Sequence, residues 1–199
     1  MYIKTLIEAL YNWTMRLAGH KHASVALFAV AFAESSFFPI PPHAMLVPMV
    51  LAKRAQAWKF AAIATVASVL GGLAGYLIGY GLFDVIGKPV LEMYGAMGKF
   101  DAFRDHYNQN GAWIVFFGGA TPVPYKVITI ASGVTSLNLA VFLIASIASR
   151  GLVFFAICAL LYIFGEPIRE FIEKRLGFVF TVSIIMIFAG IFALKYIMH

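Results

Sequence analysis

The run ESSFFPIPPHAML (residues 34–46) lies inside a longer apolar stretch, Ala23 to Ala52, and its reading decides the fold. A glutamate precedes Pro39, and Pro41 and Pro42 follow at once. Each proline removes a backbone donor and pushes the residue before it away from helical geometry, so a Pro-x-Pro breaks a helix rather than bending it. At helical pitch the arm 43–52 would rise about 15 Å and the arm 23–38 about 24 Å. Crossing the roughly 30 Å hydrocarbon layer takes about 20 apolar residues. The stretch 23–52 is therefore expected to enter the membrane and return as a re-entrant hairpin.

A second break has the same grammar. Pro122-Val-Pro124-Tyr125-Lys126 interrupts the apolar stretch 111–137, as Pro39-Ile-Pro41-Pro42-His43 interrupts the first. Each carries Pro-x-Pro with an ionisable residue two positions on, and 111–137 is read as a second hairpin. Between and after the hairpins lie runs long enough to span: Phe60 to Phe83, Leu139 to Phe164 with Arg150 inside it, and Leu176 to Ile197 with Lys195 near its end. The expected fold is an all-α integral membrane protein: two re-entrant helical hairpins plus about three spanning helices. Hairpin and helix occur twice from opposite sides, which makes an inverted repeat, a plan that places transporter substrate sites near the midplane.

Composition agrees with lipid as the solvent. Of 199 residues, 62% are hydrophobic and only 12% charged, half the charge a soluble domain usually carries. The net charge of +6 is explained by basic residues flanking apolar runs, so nucleic acid is not an expected partner. With the first run re-entrant, Lys4, Arg16, Lys21, Lys53, Arg54, Lys59, Arg169, Lys174 and Arg175 share one face. Lys88, Lys99, Arg104 and Lys195 fall on the other. A full crossing at 23–52 would move Lys53, Arg54 and Lys59 away from their companions, so the positive-inside rule favours the hairpin. The expected organisation is an amino-terminal cytoplasmic or interfacial segment 1–22 without a cleavable signal pattern, then a membrane core 23–164. Within the core, hairpin 23–52, helix 60–83, interfacial segment 84–110, hairpin 111–137 and helix 139–164 follow in order. A cytoplasmic loop and final membrane helix occupy 165–199. The apolar stripe of residues 89–108 fits helices lying in the interface.

Irregular backbone at membrane depth is tolerated only where it is buried in protein or lines a watery cavity, so the hairpin tips are the candidate site. An ionised carboxylate in lipid is costly, and Glu34 must be protonated, paired or facing water; such a group suits a proton carrier or the partner of a basic residue. Lys126 is a natural partner for Glu34 if the hairpins face each other, and could equally grip a phosphate. Arg150, near the middle of its helix, must face inward, either to bind an anion or to pair with Glu34. His43 titrates near neutral pH or serves the turn. Ser35, Ser36, Thr121 and Tyr125 could ligate a head group or satisfy backbone groups freed by the prolines. Gly71, Gly75 and Gly79, after Ala67, repeat every four residues and read as a helix-packing face. Cys158 has no partner for an internal disulfide. His20 and His22 lack further ligands, and neither a metal, a cofactor nor an enzyme's nucleophile–base pair is expected.

The combination of ESSFFPIPPHAML, GGLAGYLIGYGLFD (71–84) and ATPVPYKVITIASGV (120–134) resembles the DedA membrane proteins, the bacterial branch of the VTT or SNARE-associated group, and most of all their YqaA-type members. The resemblance covers about residues 25–165. It implies two hairpins facing each other in a bacterial inner membrane and a role in envelope homeostasis. It also implies movement of phospholipids or undecaprenyl phosphate between leaflets, in some members with protons. Glu34 matches the family's membrane glutamate. His43 stands near the place of a family acid. Lys126 matches the second of two family arginines, the first of which falls on Ala120. The expected function is thus a lipid transporter with membrane lipids as partners, protons as a candidate coupling ion and a homo-oligomer left open. The alternatives are a proton-coupled small-solute carrier and a non-transporting membrane scaffold.

Overall fold

In the computed structural model, which describes residues 22–36, 42–121 and 123–174 (backbone alone at 166 and 168–174), each apolar run is helical. In chain order the helices are α1 (Ala23–Ser36), α2 (His43–Ala52), α3 (Ala57–Leu82), α4 (Lys88–Met93), α5 (Met97–Gln109), α6 (Gly111–Ala120), α7 (Tyr125–Val134) and α8 (Leu139–Lys174). No strand occurs among the described residues. A 3-10 turn at Arg54–Gln56 leads into α3, and a π-helical segment at Phe83–Gly87 joins α3 to α4. Two helical stretches, Arg54–Met93 and Leu139–Gly165, are long and apolar enough to cross a membrane. The expected third span, 176–197, lies outside the described residues, as do residues 1–21 and the breaks' Pro39, Pro41 and Pro122.

Among the described residues each interrupted run contributes two short helices. At 10 to 14 residues, α1, α2, α6 and α7 would rise about 15–21 Å, less than the hydrocarbon thickness. α6 stops where Thr121, the residue before Pro122, turns extended (φ −97°, ψ 167°), as the clash with a following proline ring requires. Pro42 and Pro124 stand immediately before α2 and α7, where a missing amide hydrogen costs nothing.

α3 is built inside out relative to a helix of a soluble protein. Its outward residues are large and apolar, among them Val66, Leu70, Leu77 and Leu82. Its buried face is small or polar: Ala61, Ala64, Ser68, Gly71, Gly75 and Gly79. Where lipid is as apolar as leucine, helices gain most by close backbone approach over small residues. A Cβ at Gly71 would collide with the Phe32 carbonyl of α1, and one at Gly79 with the Ile130 carbonyl of α7. From the other side, a Cβ at Gly133 of α7 would strike the Tyr76 carbonyl of α3. The glycine face thus receives α1 and α7 together, while α8 packs against α3, α6 and α2.

α8 runs past the expected end at Phe164, with a kink there (φ −111°, ψ 23°). Pro167 explains it, because its ring displaces the carbonyl four residues back, that of Ile163. Arg54 donates to the Tyr162 and Ile163 carbonyls, so a cation covers the acceptors exposed at the break. The segment 84–110 folds as α4 and α5 around a turn at Gly95, whose φ of +60° suits glycine. Tyr107 holds α5 to α7 through Ser132 Oγ at 3.0 Å, and burial pushes its hydroxyl up to about 12.

Candidate functional site

Two apolar cores lie at opposite ends of the bundle. One gathers Leu27, Leu46, Met49, Phe60, Phe154 and Cys158, the other Tyr76, Tyr107, Val115, Ile128 and Phe142. Between them is a polar layer. Ser68 lies about 16 Å along α3 from Ala57, and Arg150 about 16 Å along α8 from Leu139, close to half the hydrocarbon thickness.

Arg150 is the centre of that layer and is only 5% exposed. Its Nη2 donates to Glu34 Oε2 at 3.3 Å, forming a salt bridge with a side chain that is itself 19% exposed. Its Nε donates to Ser68 Oγ at 2.7 Å, and its Nη1 reaches the Gly119 carbonyl at 3.5 Å. Gly119 is in the last turn of α6, where a cation also meets the negative end of the helix dipole. The guanidinium lies 4.9 Å from the Tyr125 ring centre and 4.7 Å from that of Phe154, two cation–π contacts that lower the cost of its desolvation. Ser35 Oγ donates to Glu34 Oε2 at 3.1 Å and lies 2.7 Å from Ser68 Oγ. Arg150 therefore joins α1, α3, α6 and α7 to α8 at a single guanidinium.

The other expected site residues fall around this centre unevenly. His43 opens α2 half-buried, its ring 5.5 Å from that of Phe154, so it neighbours Arg150 through one aromatic layer. Ser36 Oγ lies 2.8 Å from the Phe32 carbonyl and 2.9 Å from the Gly71 carbonyl, so its one proton is shared between, or given to one of, two backbone acceptors. Tyr125 is buried; its hydroxyl is a near neighbour of Ser146, though neither hydroxyl makes a hydrogen bond of ordinary geometry. Thr121 is exposed at the end of α6. Of the two partners left open for Glu34, Arg150 is the one that takes it. Lys126 sits half-buried in the first turn of α7 and makes no ion pair among the described residues. Arg150 wins the carboxylate because its planar fork reaches several acceptors at once from a depth where a bare cation is most costly. Lys126 remains the available cation beside the second break.

Sequence reasoning passed over Ser68, Phe154 and the Gly119 carbonyl. Ser68 carried a signal, since it shares the small-residue face with Ala64, Gly71 and Gly75; a hydroxyl on a close-packed face needs a partner. The Gly119 carbonyl carried none, being a backbone group exposed by a helix end. Among the described residues no cluster of three His, Cys, Asp or Glu side chains could hold a metal.

The VTT domain family model matches residues 38–163, which contain both breaks and both long helices. The chain belongs to the VTT domain, or DedA, family. An uncharacterised protein of Haemophilus influenzae is 32% identical over 190 residues, covering 96% of this chain and 98% of that protein. An uncharacterised protein of Histophilus somni is 36% identical over 145 residues, 73% of this chain and 75% of that protein. No solved structure matches the chain. Family membership, with the apolar outward faces of α3 and α8, makes this DedA-type chain a membrane protein.

Proposed function

We propose that this VTT-domain protein is a multi-pass transporter of the bacterial inner membrane that moves a phospholipid or polyprenyl phosphate between leaflets and supports the envelope. In this reading α1–α2 and α6–α7 are re-entrant hairpins, and hairpin plus long helix forms an inverted repeat. The chain is not an enzyme, and its partners are membrane lipids, with protons as candidate coupling ion and a homo-oligomer compatible with the fold. The observation that carries the reading is the convergence of helix ends on one buried charged layer: Glu34 and Ser35 end α1, His43 opens α2, Gly119 ends α6 and Tyr125 opens α7. Broken helices at mid-depth offer backbone groups and dipole ends to a polar head group while its acyl tails stay in lipid. Lys126, which makes no ion pair among the described residues, is the residue assigned to the phosphate.

The test is lipid exchange in liposomes. The purified protein is expected to speed transfer of a fluorescent phospholipid or polyprenyl phosphate between leaflets, and Lys126→Ala is expected to slow it with the fold intact. An exchange rate equal to that of empty liposomes, across anionic and zwitterionic lipids and with a proton gradient imposed, would reject transport of lipid. A membrane scaffold is the second reading. It is favoured by the surroundings of Arg150, whose Nε, Nη1 and Nη2 each donate within the protein while two rings pack against the guanidinium. A small-solute carrier would need a polar path instead.

A further inference from the structure

The hydrogen bonds around Arg150 have a fixed direction that their lengths do not show. A guanidinium can only donate, so Ser68 Oγ accepts from Arg150 Nε. An ionised carboxylate can only accept, so Ser35 Oγ donates to Glu34. Each hydroxyl has one proton. That of Ser35 is committed to Glu34, and the 2.7 Å contact between the two serines must therefore be a donation from Ser68 to Ser35. Arg150 thus reaches Glu34 by two routes, one direct from Nη2 and one relayed through Ser68 and Ser35. The Tyr125 and Phe154 rings fix the plane of the guanidinium. Rings of this kind do not fix its rotation within that plane, whereas acceptors on its nitrogens do, and Ser68 on Nε at 2.7 Å is the shortest of the three, against 3.3 Å for Glu34 and 3.5 Å for Gly119.

We propose that Ser68 is the positioning residue of the site: it sets the in-plane rotation of Arg150, and by relaying donation to Ser35 it ties that rotation to the charge on Glu34. Both serines are wholly buried, so water offers no substitute for either hydroxyl. A proton on Glu34 would turn an acceptor into a donor facing the Ser35 donor, and the relay would have to reverse or open. Ser68 converts the protonation state of α1 into the placement of a side chain on α8. The inference holds whatever the protein carries, and it does not depend on lipid transport.

The groups around the pair bear on the test. His43 of α2 packs tilted against Phe154, Tyr125 of α7 covers the guanidinium, and α7 also carries Lys126, while α3 and α6 contribute Ser68 and the Gly119 carbonyl. The experiment is thermal unfolding of the purified protein in detergent, followed by tryptophan fluorescence from roughly pH 8 to pH 4, in a His43→Gln background. The parent should lose midpoint temperature on acidification, and Glu34→Gln should remove that loss. Ser68→Ala should lower the midpoint at high pH and flatten most of the acid-dependent fall; Ser68→Thr, which keeps the hydroxyl, should restore the slope. If Ser68→Ala does not fold, Ser35→Ala interrupts the same relay and should flatten the slope. A uniform drop at every pH with the parent's slope kept, in either serine variant, would make the hydroxyl a packing group and overturn the proposal.

Discussion

Replacing Arg150 by methionine tests whether the charge pair holds the helix ends together. Methionine keeps an unbranched stem and a polarisable atom for the Tyr125 and Phe154 rings, so the change removes mainly charge and donors. Three acceptors then lose a partner: Glu34 Oε2, Ser68 Oγ and the Gly119 carbonyl. Removing one member of a buried pair costs about 3–5 kcal/mol. Glu34 retains Ser35 and is 19% exposed, so the lower end, about 3 kcal/mol, is expected. Glu34→Gln leaves Arg150 its Ser68 and Gly119 bonds and both rings, and should cost about 1–2 kcal/mol. The double variant has no stranded charge and should be more stable than the sum predicts by about 1–3 kcal/mol. Reversible unfolding in mixed micelles, read by tryptophan fluorescence on all four proteins, closes the cycle. Additivity within about 0.5 kcal/mol would refute the coupling. Arg150→Met as stable as the parent would refute the keystone role altogether.

Other consequences are simpler to check. Gly71→Ala and Gly79→Ala should lower folded yield by size-exclusion chromatography, since their Cβ atoms meet backbone carbonyls, whereas Gly81→Ala, with nothing within 4 Å of its Cβ, should be neutral. Tyr107→Phe removes the hydroxyl bonded to Ser132 and should destabilise the protein by about 1 kcal/mol in the same unfolding assay. The proposed topology puts residues 53–59 on the cytoplasmic side, so a cysteine at position 56 in a Cys158→Ala background should resist an impermeant thiol reagent in intact cells; labelling there would remove the first hairpin from the topology.

The two long helices were legible because their signal is solvent-driven: an uncharged run such as Phe60 to Phe83 has few alternatives to a helix among helices in lipid. The stop of α6 at Ala120 was legible for an equally local reason, the proline pair that follows it. The end of α8 was not. Phe164 closes the apolar run, but hydrophobicity marks where lipid ends and not where backbone hydrogen bonding ends, so the helix passes through the Pro167 kink to Lys174. The hold of Arg54 on the Tyr162 and Ile163 carbonyls joins residues more than a hundred positions apart, and no local pattern encodes it.

The charged centre was half legible, and the missing half has a physical cause. The cost of a charge in hydrocarbon singles out Glu34 and Arg150 without any knowledge of the fold. Choosing between Lys126 and Arg150 as the partner of Glu34 requires knowing which helix reaches the same depth from which direction, and that depends on how the short helices lie against α3. The glycine face decides it. Close approach over Gly71 brings the end of α1 against the middle of α3, which sets Ser35 beside Ser68. α8, crossing the same stretch of α3, then delivers Arg150 to both. Lys126, two residues after Pro124, is placed by the start of α7 and meets no carboxylate among the described residues. The chain therefore keeps one cation that builds the fold and one that makes no ion pair among the described residues. In a membrane a charge without a counter-ion is costly to retain, which is the reason the proposed function assigns the second cation, and not the first, to the phosphate.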